Sequence, residues 1–402
     1  MAQPRHAVGG GATLSITTVP WGTVNGSKVS LFTLTNKGGM KVAITDYGGV
    51  VQSIWVRDRG GQFVNVALGF SSLSDYVDNF QNQPWPLPGG SGQTFFGGII
   101  GRFANRIANA SFTLDGSTYH IPANEGPNAL HGGPASYHTQ VWSAATELGP
   151  GFTSLKLSYT DPDGKNGFPG TVENTVTYTL TDGNALKISY VATTDAPTII
   201  NLTNHTYFNL AGEASGDVLG QHLQISADTY QPTDSTQVPT GAFVPVAGTA
   251  FDFRAMHRIG KDIARAELPD GGAQTYAQLL MAHGYDHNWV LAGSGFRLAA
   301  TAFHPGTGVT LWTYTDQPGL QFYTGNFLVG DLQGTSGHAY RQAAGFTLET
   351  QHFPGSPQHI GEPGWPSVVL RPGQTFSSST TYQFGVEGPE FAEHPGPPAR
   401  VG

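Results

Sequence analysis

The stretch TVTYTLTDGNALKISYVATT, Thr175–Thr194, decides the fold class. Apolar and polar residues alternate on either side of Asp182-Gly183-Asn184, so Val176, Tyr178 and Leu180 share a face with Leu186, Ile188 and Tyr190. A period of two interrupted by turn-forming residues reads as an antiparallel hairpin with one face buried. VSLFTLTNKGGMKVAITDYGG (29–49) repeats the pattern around a Gly-Gly turn. SLKLSYT, HLQISA, FRLAATAFHP, GVTLWTYTD, GFTLETQ and TTYQFGV add strands along the rest of the chain. Helical periodicity is confined to SSLSDYVDNF and RIGKDIARAELP. With no repeat and no dividing linker, the expectation is all-β: one large antiparallel domain of stacked sheets with few short helices.

Composition narrows the partners. Of 402 residues only 12% are charged, against about 25% in ordinary soluble chains. The net charge is −9 and no Lys/Arg cluster occurs, which excludes a counterion-releasing nucleic-acid surface. No apolar run reaches the length of a membrane span. Cysteine is absent, which rules out disulfides and thiolate metal sites. The first residues carry no apolar leader core. Low charge and zero cysteine favour a periplasmic or secreted protein, its leader preceding this sequence, over a cytoplasmic one.

A second stretch, TIINLTNHTYFNLAG (198–212), has strand composition but sets His205 among Asn201, Asn204 and Asn209. Read as one strand, it brings polar groups into a packed element, where each needs a partner. Similar clusters recur in GRFANRIANA (101–110), NEGPNALHGG (124–133), HGYDHNWVL (283–291), PGLQFYTGNFL (318–328) and FTLETQHFPGSPQH (346–359). Together they offer Asn105, Arg106, His131, His205, Asp286, Gln321 and Glu349. Amides, carboxylates and a guanidinium suit a polyhydroxylated neutral ligand, with Trp289, Tyr323 and Phe353 as candidate walls for its C–H faces. Imidazole plus carboxylate also supplies acid–base chemistry near neutral pH.

Competing motifs are weaker. His283 and His287 have the spacing of a metal pair, but Gly284 and Tyr285 disfavour the helix that would align them, and no other His/carboxylate cluster stands out. GDLQGTSGH and DGKNGFPG lack the ending and context of a phosphate loop. Of four Asn-x-Ser/Thr matches, two lie inside the stretch read as a strand.

The order GRFANRI, NALHGG, NLTNHTYFNL, YDHNWVL, QFYTGNFL, LETQHFPGSPQH resembles the aldose 1-epimerase (galactose mutarotase) family. The resemblance runs from about Leu14 to Phe384, with ITDYGGVVQSIWVRD, VALGFSSLSDY and PSVVLRPGQTF also similar. It implies a galactose-mutarotase-like β-supersandwich over 13–387, between a flexible arm (1–12) and a flexible tail (388–402). It further implies cofactor-free, metal-free interconversion of the α and β anomers of free aldohexoses such as galactose and glucose. Glu349 falls on the family's catalytic base and His205 on its catalytic acid. Asn105, Arg106, His131, Asp286 and Gln321 fall on its sugar-binding residues. The implied partner is a monosaccharide, with neither nucleic acid nor membrane, for a monomer or homodimer. Other readings are a different aldose, a sugar phosphate, or a non-catalytic carbohydrate-binding protein of the same fold. Gly355 and His359 stand where the family usually shows Asp and Asn. Asn82–Thr94, which contains Trp85, is longer than the family norm.

Overall fold

The computed structural model describes residues 12–83, 89–266 and 276–398. The opening hairpin pairs as its alternation demands, with Val176 opposite Tyr190, Tyr178 opposite Ile188 and Leu180 opposite Leu186. Its strands, Val172–Thr181 and Ala185–Thr194, belong to a nine-stranded antiparallel sheet. Phe376–Val386, Val309–Thr315 and Arg297–Phe303 continue it. Strict alternation leaves one face half-exposed and buries the other.

A six-stranded sheet lies against that buried face. Its order is Tyr207–Phe208, Phe346–Gln351, Gly319–Tyr323, Asp286–Leu291, Ala227–Gln231, Val244–Pro245. A five-stranded meander from Ser15 to Asn65 adds a third layer. One apolar cluster joins the three: Leu348 and Phe322 from the six-stranded sheet, Ile188 and Tyr382 from the nine-stranded, and Val42 and Ile54 from the meander. The two faces of Phe346–Gln351 and Gly319–Tyr323 are both buried, unlike those of the hairpin Val172–Thr181 and Ala185–Thr194. Their second face is polar, with Glu349 opposite Gln321, Gln321 opposite Asn288, and Asn288 opposite Gln231. A buried polar row of this kind needs partners, and it marks where the site lies.

The stretch 198–212 is not one strand. It forms three two-residue pieces, each with a different partner: Thr198–Ile199 with Val369–Leu370, Thr203–Asn204 with Ile99–Ile100, and Tyr207–Phe208 with Phe346 and Thr347. The asparagines explain the breaks. Asn201 Nδ2 donates to the carbonyls of Ala104 and His352, and Asn204 Nδ2 to that of Gly97. Asn209 Nδ2 donates to the carbonyls of Gly216 and Ala344. These side chains satisfy loop backbone that no ladder reaches, at the cost of a continuous strand.

Helices form at Leu73–Val77, running into a wider turn at Asp78–Asn82, and at Gly260–Ala266, as the sequence suggests. A further one forms at Ala277–Ala282. Within the stretch expected to be a flexible tail, Pro389–Ala392 makes a 3₁₀ turn whose Phe391 packs on Phe303 and Trp312. The expected N-terminal arm lies outside the described residues except for Ala12, and so does Trp85.

Candidate active site

A cleft of about 390 Å³ opens over the polar face of the six-stranded sheet. Glu349, His205, Asp286, Asn105, Arg106 and His131 all line it, so six of the seven residues singled out from sequence converge. Gln321 stands behind the wall, where its Nε2 donates to Asp286 Oδ1 at 2.7 Å.

Strand register sets the floor. Thr347, Tyr323 and Asp286 lie opposite one another across adjacent strands, and Glu349 is two residues beyond Thr347 on the same face. Thr347 Oγ1 donates to Glu349 Oε1 at 2.8 Å, while Oε2 has no partner among the described residues. His205 Nε2 stands 3.5 Å from Glu349 Oε1, longer than a good hydrogen bond, and its Nδ1 is buried without a partner. Burial raises the Glu349 pKa to about 8, with Thr347 and Arg106 opposing it, and lowers that of His205 to about 3. Despite the ion-pair geometry, desolvation therefore favours a neutral carboxyl beside a neutral imidazole. The pair holds one proton between roughly those two pH values, and that proton rests on Glu349.

Loop conformation sets the opposite wall. Asn105 and His131 both adopt positive φ, 65° and 53°. The Asn105 N–H donates to His131 Nδ1 at 3.1 Å, so the ring proton of neutral His131 sits on Nε2. Burial, seconded by His205, pushes the His131 pKa well down, which keeps it in that neutral form. Gly132 follows because a Cβ there would stand 2.3 Å from the Gly101 carbonyl oxygen. Arg106 is gripped along one edge. Its Nε and Nη2 donate to Glu125 at 2.7 Å each, Nη2 also reaches Gln237 Oε1 at 2.7 Å, and Asp286 Oδ2 lies 3.5 Å away. Against the burial that lowers it, Glu125 and Asp286 push the Arg106 pKa above its ordinary value. Burial likewise raises that of Asp286, against Arg106 and Gln321. The Arg106 carbonyl accepts from Gly355 N at 2.9 Å, and Gly355 has φ 74°. The glycine departure thus supports the site directly. His359, the other departure, stacks on Trp365 at 3.9 Å and does not line the cleft.

Three expectations are corrected. Trp289 is fully buried, with Nε1 donating to the Phe251 carbonyl, and Phe353 packs on Phe243 and Trp365; neither lines the cleft. The aromatic walls are Tyr323, as expected, with Phe95, Tyr207 and Phe327. The sequence shows no His/carboxylate cluster beyond His283 and His287, yet folding brings ligand atoms of His131, His205 and Glu349 within 4.8 Å of one another. That trio fits a metal ion poorly. One nitrogen of His131 is occupied by the Asn105 N–H and the other carries the proton. His287 is spent in the same way, accepting from Asp286 N and facing Gln278 Oε1 at 3.1 Å, while His283 is exposed. Glu125, Gln237 and Gln93 went unmarked because their roles depend on contacts between segments distant in sequence, although Glu125 lies inside NEGPNALHGG. Thr347, two residues from Glu349 inside FTLETQHFPGSPQH, had a local signal and was passed over.

Fold and site define the class: a galactose-mutarotase-like β-supersandwich with a carboxyl–imidazole pair at the floor of a polar cleft. The model of the family described as Aldose 1-epimerase matches residues 30–383. The galactose mutarotase of Rattus norvegicus is 40% identical over 348 residues, spanning 86% of this chain and 92% of its own. The aldose 1-epimerase of Escherichia coli (strain K12) is 38% identical over 368 residues, spanning 90% and 97%. A solved galactose 1-epimerase from Lactobacillus acidophilus NCFM superposes with TM-score 0.77 at 27% identity, over 93% of this chain and 99% of that one. The chain belongs to the aldose 1-epimerase family.

Proposed function

We propose that the protein interconverts the α and β anomers of free aldohexoses, with galactose and glucose the first to test. The observation that carries this reading is the Glu349–His205 pair, 3.5 Å apart and buried at the floor of a cleft rimmed by hydrogen-bonding groups. Anomerisation needs a base for the C1 hydroxyl proton and an acid for the ring oxygen as the C1–O5 bond breaks. Rotation about C1–C2 then presents the other carbonyl face, and closure returns both protons. A pair that shares one proton meets this need without net gain or loss. Glu349 acts as base and His205 as acid once a bound sugar draws the shared proton towards the imidazole. The C1 hydroxyl then donates to the carboxylate, and the ring oxygen accepts from the imidazolium. Closure reverses the roles.

The remaining groups hold the sugar. His131 offers an Nε2–H, Arg106 its Nη1 edge and Asn105 its amide nitrogen, all donors. Asp286 accepts, oriented by Gln321. Tyr323, Tyr207 and Phe95 cover apolar faces. Polarimetry of freshly dissolved α-D-galactose and α-D-glucose, with catalytic protein, tests the proposal. The expected result is relaxation faster than in buffer. A buffer rate with every common aldose would overturn it.

A further inference from the structure

The segment that leads towards the Asn105–Arg106 turn carries a side chain, Gln93, that the scheme above leaves unused. Residues 93–96 alternate. Thr94 and Phe96 turn away from the cleft, Thr94 Oγ1 donating to Asn79 Oδ1 at 2.9 Å and Phe96 packing on Phe70, Tyr207 and Tyr340. Gln93 and Phe95 turn into it. Gln93 is only 7% exposed. Chemistry fixes which way its amide points, because the group beside the Phe80 carbonyl must be a donor, hence Nε2. The second N–H reaches His138 Nε2 at 3.1 Å. His138 is itself clamped between the rings of Phe80 and Phe95, both at 4.9 Å. Both hydrogens are thereby used, and among the described residues nothing donates to Oε1. An amide oxygen that opens on the cleft without a donor from the described residues takes one from whatever occupies the cleft.

We propose that Gln93 is a specificity-determining residue that touches the substrate, its Oε1 accepting a hydrogen bond from one hydroxyl of the bound aldose. This rests on the reading of the cleft as a sugar site. His138 is the positioning residue: by accepting from Nε2 it keeps the amide oxygen turned inward. A site built to bond a hydroxyl rejects the analogue that lacks it, because the protein group is then stranded.

The test is a deoxy-sugar series, the 2-, 3-, 4- and 6-deoxy forms of the aldose used best, run with wild type, Gln93→Leu and the length-matched Gln93→Met. Wild type should disfavour one deoxy sugar by about tenfold or more in kcat/KM, and in both variants that one ratio should collapse to about unity while the others persist. An unchanged pattern overturns the proposal. So does a uniform loss across all sugars with a lowered Tm, which would mean that Gln93 only packs. If wild type accelerates no aldose, the epimerase reading falls, and the same series is read as Kd by ligand-observed NMR. One selective loss that vanishes in Gln93→Met would then support the contact, and uniform binding or none would overturn it.

Discussion

The two walls of the cleft hold their groups by different means. On the strand wall, Glu349, Thr347, Tyr323 and Asp286 take their places from antiparallel register, one ladder bond after another. On the loop wall, Asn105 and His131 sit in left-handed conformations, and Arg106 is held by side chains from two other loops, Glu125 and Gln237. A ladder fixes a side chain whatever its neighbours are. A loop wall fixes each group through the next, so a change there travels. Substitutions on the strand wall should therefore remove chemistry and leave binding, whereas those on the loop wall should loosen binding and spare much of the chemistry.

The largest effect tests the first half of that contrast. Glu349→Gln should lower kcat by about 10²–10⁴, with KM within a few-fold and unchanged circular dichroism. His205→Asn, whose parent residue bridges the walls, should do the same. A folded variant of either kind that keeps the wild-type rate would show that its residue neither gives nor takes the proton.

Next comes the loop wall. Glu125→Gln leaves Arg106 without its closest charge partner, and KM should rise by about tenfold with a smaller fall in kcat. Were kcat to fall as far as in Glu349→Gln, the two walls would not be separable.

pH reads the strand wall without a mutation. The proposed mechanism uses only the one-proton state of the Glu349–His205 pair, so kcat/KM should hold level through neutral pH. It should then drop by about tenfold per unit above about pH 8, where Glu349 gives up its proton. A decline centred near pH 5 would instead mean that Glu349 titrates as an exposed acid. The same burial acts on stability. Because the folded pKa is raised from 4.5, protonation favours the fold below that value, and this advantage is lost as pH rises towards 8. Glu349→Gln removes the loss, so its Tm should exceed wild type by a margin that widens from pH 4.5 to 8. A constant margin would argue against a buried carboxyl.

The two walls also differed in how far the sequence disclosed them. The strand wall was legible because period-two alternation assigns faces: in FTLETQ, Phe346 and Leu348 face the core, and Thr347 and Glu349 the cleft. The loop wall was legible only as motifs. Nothing local tells that Gln237, 131 residues from Arg106, caps its guanidinium, or that Gln93 lies beside His138. The reading of 198–212 as one strand failed for a related reason. β-propensity records how a side chain fits a pleated surface, and it cannot weigh asparagines whose partners are loop carbonyls about a hundred residues away. The same blindness to tertiary contacts placed Trp289 in the cleft when its ring belongs to the core.

The smallest effect concerns the junction of the walls, where His131 from the loops meets His205 and Glu349. By distance alone the trio could ligate a divalent ion. Ligation through His131 Nε2 would require its proton to move to Nδ1, turning that nitrogen against the Asn105 N–H it now accepts from. The lone pair and the hydrogen bond cannot both be had. A metal would also have to displace the proton that burial favours on Glu349, whose pKa is raised to about 8. Each term opposes a metal, and each follows from how its wall is built: the tautomer from the left-handed loop, the raised pKa from the buried strand. Mutarotation should therefore persist within about twofold after exhaustive chelation, and within about twofold when Zn²⁺ is added to the chelated protein. Loss on chelation with recovery on adding a divalent ion would show that His131 can give up its bond to Asn105, and the loop wall would then be less fixed than its hydrogen bonds imply.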